Sequence, residues 1–381
     1  MTDVAPAGGR PAGTAPARTG PARTGPAEDR PAAGSTAAPA PTGGKPTAAE
    51  LARLLDAERY PLQYHALVLE VTSRCNAACA MCYQSAGPAG SDLLGAAALG
   101  AADLSRVLRE GREIAALDPR VHISGGEALL RVEPVVDLVA EAQQLGYREI
   151  VVTTNATWAR SPRRALRTAA ALRDAGLTAL AVSWDHWHLP YIRPAWVEHC
   201  LRACAEVGLP TRLRVLTSRA HGVEEALAGL DAAALAHVDR ISSGPVLPIG
   251  RAASALDPAE LFDVGALTGA CHTFLAVTVN AWGNVFPCCQ GFDQTDTHLL
   301  GNVRDEPLGG IVARMSAAPL VRMLVLGGVA RLYALLGEDI AADRSYRGIC
   351  HACWSLFSDP AKVRRVNSAL AELAAEAVNR S

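Results

Sequence analysis

The chain has 381 residues, half of them in the AVILMFWYC set, too apolar and too long for a disordered protein and enough for one large domain or two ordinary ones. Thirty-six basic against 38 acidic side chains leave a net charge of −2, which lays down no electrostatic footprint for nucleic acid. No apolar run reaches the roughly 18 residues of a membrane helix and the first residues hold no hydrophobic stretch, which reads as a cytoplasmic chain with neither membrane segment nor secretory signal.

Residues 1–48 are a separate material. They contain no aromatic residue, no Leu and no Ile, and they repeat PARTG at Pro16–Gly20 and Pro21–Gly25. Such a stretch cannot bury enough apolar surface to offset its ordering entropy, so a disordered, partly polyproline-like tail is expected. Arg10, Arg18, Arg23, Arg30 and Lys45 outnumber Asp3, Glu28 and Asp29 there, leaving the remainder more acidic than the whole.

From residue 64 the texture alternates. Apolar, β-branched runs at Ala66–Val71, Val121–Ser124, Glu149–Thr154, Leu180–Trp184, Arg212–Thr217 and Arg240–Val246 predict strands. Between them, Leu104–Leu117, Val135–Leu145, Arg163–Ala175, Ala195–Val207 and Val223–Ala236 have helical spacing, with Gly176 and Gly208 placed to cap helix ends. One strand and one helix in roughly 30 residues is the βαβ repeat, hence a parallel sheet. Six units are fewer than the eight that close a TIM barrel, so the fold expected over 64–252 is α/β, a partial (β/α)6 TIM-like barrel. In such sheets chemistry sits at the carboxyl ends of the strands.

Beyond Arg251 the pattern changes. Phe274–Val279 and Val285–Cys289 flank the turn Asn280-Ala281-Trp282-Gly283-Asn284 and predict a β-hairpin. Helical stretches follow near Leu320–Leu336 and Ala361–Val378. A small C-terminal α/β domain over 265–357, with a closing helix over 358–381, is the economical reading.

Ten cysteines in a reducing compartment are available as thiolates for metal. Cys75-x3-Cys79-x2-Cys82 follows the first strand directly. Three thiolates on one short loop can hold three irons of a [4Fe–4S] cluster and leave the fourth iron open to substrate or cofactor. Structural zinc asks for paired knuckles closing a four-ligand set, which this loop lacks. A second group comprises Cys271, Cys288 or Cys289, Cys350 and Cys353; four thiolates there suit either a tetrahedral zinc or a closed cluster. Adjacent Cys288 and Cys289 cannot easily aim at one iron. Cys200 and Cys204 share a face of a predicted helix and read as core.

The three-cysteine run resembles the signature of the radical S-adenosylmethionine (SAM) superfamily, and further positions match in order. Gly125-Gly126-Glu127 resembles the GGE motif beside the SAM amino group, with Ala128 where a Pro is usual. Asn155 in Thr153-Thr154-Asn155, and Ser183 and Asp185 in Ser183-Trp184-Asp185, stand where relatives place polar contacts to SAM. Met81 and Tyr83 flank the third cysteine, where an aromatic residue packs on adenine. Pro248-Ile249-Gly250-Arg251-Ala252 resembles a segment seen after strand six. The second cysteine group resembles a SPASM/Twitch auxiliary-cluster domain of the shorter, Twitch form, since no cysteine follows Cys353. Its Gly-x4-Cys spacing favours Cys288 as the ligand.

The resemblance implies reductive cleavage of SAM to a 5′-deoxyadenosyl radical, with electrons from a flavodoxin- or ferredoxin-type donor and a second [4Fe–4S] cluster relaying an electron. The implied reaction is modification of a natural product, with a ribosomally made peptide first and dehydrogenation or epimerisation of a sugar or aminocyclitol as the alternative. A molybdopterin-precursor enzyme shares the core but uses three auxiliary cysteines and a terminal Gly-Gly, against Asn379-Arg380-Ser381 here. Radical SAM epimerases return a hydrogen atom from a cysteine thiol, and Cys289 is the candidate for that catalytic role. A non-catalytic zinc or iron–sulfur module is the reading from a different class.

Overall fold

The computed structural model of the protein describes residues 44–90, 98–263, 267, 269–271, 275–288, 297, 299–340, 343 and 345–379. The tail expected over 1–48 thus lies outside the described residues apart from 44–48. Helix α1 (Ala48–Leu55) opens with a reciprocal cap: the Glu50 N–H donates to Thr47 Oγ1 at 3.3 Å, and the Thr47 N–H donates to the Glu50 carboxylate at 2.8 Å.

Strands β1 (Leu67–Glu70), β2 (Arg120–Ser124), β3 (Glu149–Thr154), β4 (Ala179–Ser183), β5 (Thr211–Thr217) and β6 (Arg240–Pro245) run parallel in the order 6-5-4-3-2-1. β6 makes no ladder with β1, so the barrel is open on that side. Helices α2 (Ala101–Glu113), α3 (Val132–Gln144), α4 (Pro162–Asp174) and α5 (Pro194–Glu206) cover the sheet. In α4, Ser161 caps the Arg164 N–H, Pro162 pre-sets the first turn, and Ala165, Thr168, Ala169 and Leu172 form the buried stripe. Cys200 and Cys204 lie on the corresponding inward face of α5, both fully buried. Every residue of β1 is buried, as a strand covered on both faces requires.

Two helical expectations are corrected, and the predicted hairpin has a partner that its sequence did not indicate. Residues 223–236 are two helices, α6 (Val223–Ala228) and α7 (Ala232–Leu235), because the Asp231 carboxylate accepts from the Ala233 N–H and starts a new helix after Gly229. After the short α8 (Ala252–Ala255), the hairpin β7 (Val277–Val279) and β8 (Val285–Phe286) builds no sheet of its own. β7 pairs in parallel with β1, making one eight-stranded sheet that ends in the antiparallel β8. The helix read over 320–336 is broken: α9 (Leu308–Ala317) leads to α10 (Pro319–Arg322), a π-helical turn at Met323–Gly327, and α11 (Val329–Leu335). Gly328 at φ +88° makes the break. α12 (Ile349–Phe357) and α13 (Pro360–Asn379) complete the chain, with α13 packed on α1.

No single helix among the described residues is long and apolar enough to cross a membrane; only the bent pair Leu308–Ala317 and Pro319–Gly327 passes by length and composition.

Candidate active site

The cysteine loop begins where β1 ends, and the glycine turn after β2 is stitched to it. Gly126 N–H donates to the Thr72 carbonyl at 2.7 Å and Glu127 N–H to the Arg74 carbonyl at 2.9 Å. A Cβ on Gly125 would lie 2.4 Å from the Thr72 oxygen, and one on Gly126 would lie 2.4 Å from the Arg74 oxygen. Gly125 also has φ +125°. Both glycines are therefore fixed by close approach to the backbone just before Cys75.

A cavity opens at the carboxyl ends of β1 to β4. Cys75, Cys79, Cys82 and Met81 line one side; Gly126, Glu127, Thr153, Thr154, Asn155, Ser183 and His188 line the other. Gly125, Tyr83 and Asp185 are not in its wall. Glu127 is buried, and its carboxylate accepts from the Leu129 N–H (2.9 Å), Thr154 Oγ1 (2.7 Å) and the Asn155 N–H (2.7 Å). Burial raises its carboxyl above the usual range against the pull of these donors. Asn155 Nδ2 in turn reaches Cys75 Sγ at 3.6 Å and Asn76 Oδ1 at 3.0 Å.

Asp185 turns inward. Its carboxylate accepts from the Trp187 N–H (3.1 Å) and the Leu216 N–H (3.4 Å) and holds His188 through Nδ1 at 2.8 Å. The i,i+3 spacing of Asp185 and His188 was visible in the sequence, but only the tight turn after β4 shows that the acid's work is to orient the imidazole. Arg251 is the other residue whose part was not legible: its guanidinium reaches the cysteine loop and donates to the Cys79, Ser85 and Ala86 carbonyls.

Burial pushes the Cys75 thiol up to about 12 and raises that of Cys79 further. Thiolates form in such a place when a cationic centre binds them. None of the nine described cysteines is in a disulfide. A second, apolar cavity gathers the other group: Cys271, Cys288, Cys350 and Cys353 line it together with Leu275, Leu324, Val325 and Ile349. Burial raises the Cys271 thiol to about 11, and it raises Cys353 as well, with Cys271 and Cys350 adding to the effect. Cys289 lies outside the described residues.

Ligands of one tetrahedral zinc would hold their sulfurs roughly 3.8 Å apart. Among the described residues, the trio whose ligand atoms fall within 4.8 Å of one another is His186, His221 and Glu225, and neither cysteine group meets that spacing. The two imidazoles of that trio stack at 3.3 Å with planes 12° apart and share the Glu225 carboxylate. Near-parallel rings cannot both aim in-plane lone pairs at one ion, so hydrogen bonding accounts for this cluster.

An open parallel α/β barrel with three thiols on the loop after its first strand, facing a glycine turn and polar strand ends, defines a class of cluster-binding barrel proteins. Residues 69–252 match the family model described as the radical SAM superfamily, and this part of the chain is a radical SAM domain. A probable GTP 3′,8-cyclase of Methanothermobacter thermautotrophicus (strain Delta H) is 30% identical over 128 residues, 34% of this chain and 37% of that protein. The GTP 3′,8-cyclase of Synechococcus sp. (strain CC9902) is 36% identical over 135 residues, 34% of each chain. The chain thus spans little more than a third of the length of the curated relatives it matches. Among solved structures, native anSMEcpe with bound AdoMet is similar with a TM-score of 0.50 and 15% identity, over 83% of this chain and 100% of that one, a likeness of fold. The domain's family implies a [4Fe–4S] cluster and SAM, and the donor set fits: three cysteine thiols outside any disulfide line one cavity.

Proposed function

We propose that the chain is a radical SAM enzyme in which Cys75, Cys79 and Cys82 hold a [4Fe–4S] cluster and SAM occupies the remaining iron. A second cluster sits on Cys271, Cys288, Cys350 and Cys353 in a Twitch-like domain, and a flavodoxin- or ferredoxin-type protein supplies electrons. The substrate is a natural-product precursor, a ribosomally made peptide, modified by hydrogen abstraction. The observation that carries this reading is the single cavity shared by the three thiols and the ends of β2, β3 and β4.

When bound, the cluster and SAM supply one-electron cleavage of a sulfonium bond and hydrogen-atom abstraction. The protein's part is placement and exclusion of water. Thr153 and Ser183 offer hydroxyls to the polar groups of SAM, and Met81 offers an apolar face to adenine. Glu127 spends its carboxylate bracing the β2 and β3 exits, leaving the backbone of Gly126 and Glu127 as the surface toward the cofactor. His188, committed to Asp185 through Nδ1, keeps Nε2 for the cavity. Exposed Leu130, Leu189 and Tyr191 in the loops after β2 and β4 support a substrate with apolar side chains.

Four cysteines around the second cavity support a closed cluster that passes electrons and leaves no iron for substrate. A second reading follows the relatives' names, cyclisation of GTP; the four-cysteine set weighs against it. The test is anaerobic reconstitution followed by reduction with SAM. The wild-type chain is expected to yield 5′-deoxyadenosine, and a Cys75/Cys79/Cys82 triple-alanine variant none. Consumption of GTP to a cyclised product would replace the peptide reading. Loss of turnover in Cys289→Ala with intact SAM cleavage would mark an epimerase.

A further inference from the structure

Arg251 stands where the barrel is open. β6 leaves the sheet at Pro245, and the chain crosses back toward the exit of β1, which β6 does not pair with. There the Arg251 N–H donates to the Cys82 carbonyl at 3.0 Å. Its guanidinium donates to the Cys79 carbonyl at 2.9 Å and to the Ser85 and Ala86 carbonyls at 2.6 Å each. These four bonds span the part of the loop that carries two of the three thiols. Outside this site Arg331 and Arg347 are paired with Glu50 and Asp263, whereas Arg322, like Arg251, is bonded to backbone carbonyls. Among the described residues Arg251 has no such partner; all of its bonds go to neutral carbonyls.

Carbonyl oxygens satisfy the donors of this guanidinium without neutralising it, so its charge stays available to an anion held by the neighbouring thiols. A cubane held by three thiolates is that anion, and adding one more electron to it is favoured by a positive charge close by. We infer that Arg251 is a positioning residue for the SAM-binding cluster, fastening the cysteine loop across the open side of the barrel and supplying the positive charge that favours the reduced cluster. This rests on the cluster reading given above.

The two roles separate in two variants of the full reconstituted chain. Arg251→Gln removes the charge; Arg251→Lys keeps it but loses the three-carbonyl fork. The SAM-binding cluster is identified by the shift of its reduced EPR signal when SAM is added, and its midpoint is read by redox titration. Arg251→Gln is expected to lower the reduced-to-oxidised ratio about tenfold at fixed potential, about 59 mV in midpoint for one electron. Arg251→Lys is expected to stay within about twofold of wild type in that ratio while losing iron to a chelator several times faster. An Arg251→Gln midpoint equal to wild type, or a Lys variant that shifts as far as Gln, overturns the inference. If Arg251→Gln takes up no iron, the alkylation rates of Cys75, Cys79 and Cys82 in the metal-free chains decide. Rates several times faster in both variants are expected, and rates equal to wild type overturn it. A wild-type chain without any SAM-shifted signal defeats the cluster reading itself.

Discussion

The Asn155 N–H donates to the Glu127 carboxylate at 2.7 Å, tying the exit of β3 to the exit of β2 directly beneath Cys75. One buried acid thus holds the polar wall of the cavity in register with the cysteine loop. Glu127→Ala leaves the Leu129 N–H, the Thr154 hydroxyl and the Asn155 N–H without their acceptor. The expected cost is on the order of 3 kcal/mol, read by urea denaturation, with SAM binding weakened at least about tenfold in calorimetry. Unchanged stability and SAM affinity would remove Glu127 from the bracing role.

Gly126→Ala places a methyl group 2.4 Å from the Arg74 carbonyl oxygen, which belongs to backbone and cannot rotate away. The turn must separate from the start of the cysteine loop, at roughly 1–3 kcal/mol. Iron uptake at the first site is expected to fall while the second site keeps its iron, so iron content should drop toward half. Full iron content in this variant would show that the contact is dispensable.

His122 on β2 bonds Thr153 on β3 through Nε2. Burial, reinforced by the Arg212 guanidinium, holds its imidazole down at about 4. The unfolded chain takes up that proton near the ordinary value of about 6.5. Between these values the unfolded state therefore binds more protons, and stability present above pH 6.5 is lost as pH falls toward 4. The loss is on the order of 1–3 kcal/mol at full development. Thermal midpoints of wild type and His122→Gln should diverge at pH 7 and converge toward pH 4; parallel curves would contradict the assignment.

The barrel was legible because its strands are short apolar, β-branched runs, β1 being buried throughout, and its helices carry a one-sided apolar stripe, as in Ala165, Thr168, Ala169 and Leu172. The loop of Cys75, Cys79 and Cys82 was legible because ligand spacing is local. What escaped is what depends on distant partners. Nothing in Val277–Val279 says that it pairs with Leu67–Leu69, so the hairpin was read only as part of a small C-terminal α/β domain. The partners of Asp185 are of this kind too: its oxygens accept from Trp187 and Leu216 and hold His188. Arg251 meets the residues it serves only through the return of the chain after β6. The break at Gly328 was hidden inside a helical run because a lone glycine at φ +88° leaves no periodicity signal.

Arg322 is buried and donates to the carbonyls of Leu54, Asp56, Tyr60 and Ser316, so it caps the end of α1 from the C-terminal helices. Arg322→Ala strands those carbonyls and empties the space, at an expected 2–4 kcal/mol, roughly. Hydrogen exchange should then rise first in Ala48–Leu55, with the barrel protected as before. Equal exchange across the chain would mean that Arg322 supports the whole domain and not α1.

The most direct measurement is the EPR spectrum of the reduced, anaerobically reconstituted chain with and without SAM, compared in wild type and in the Cys75/Cys79/Cys82 triple-alanine variant. A signal that SAM shifts in wild type, absent from the variant while the signal of the second site persists, is the expected result. A spectrum indifferent to SAM, or an identical spectrum in the variant, would contradict an open iron held by these three cysteines.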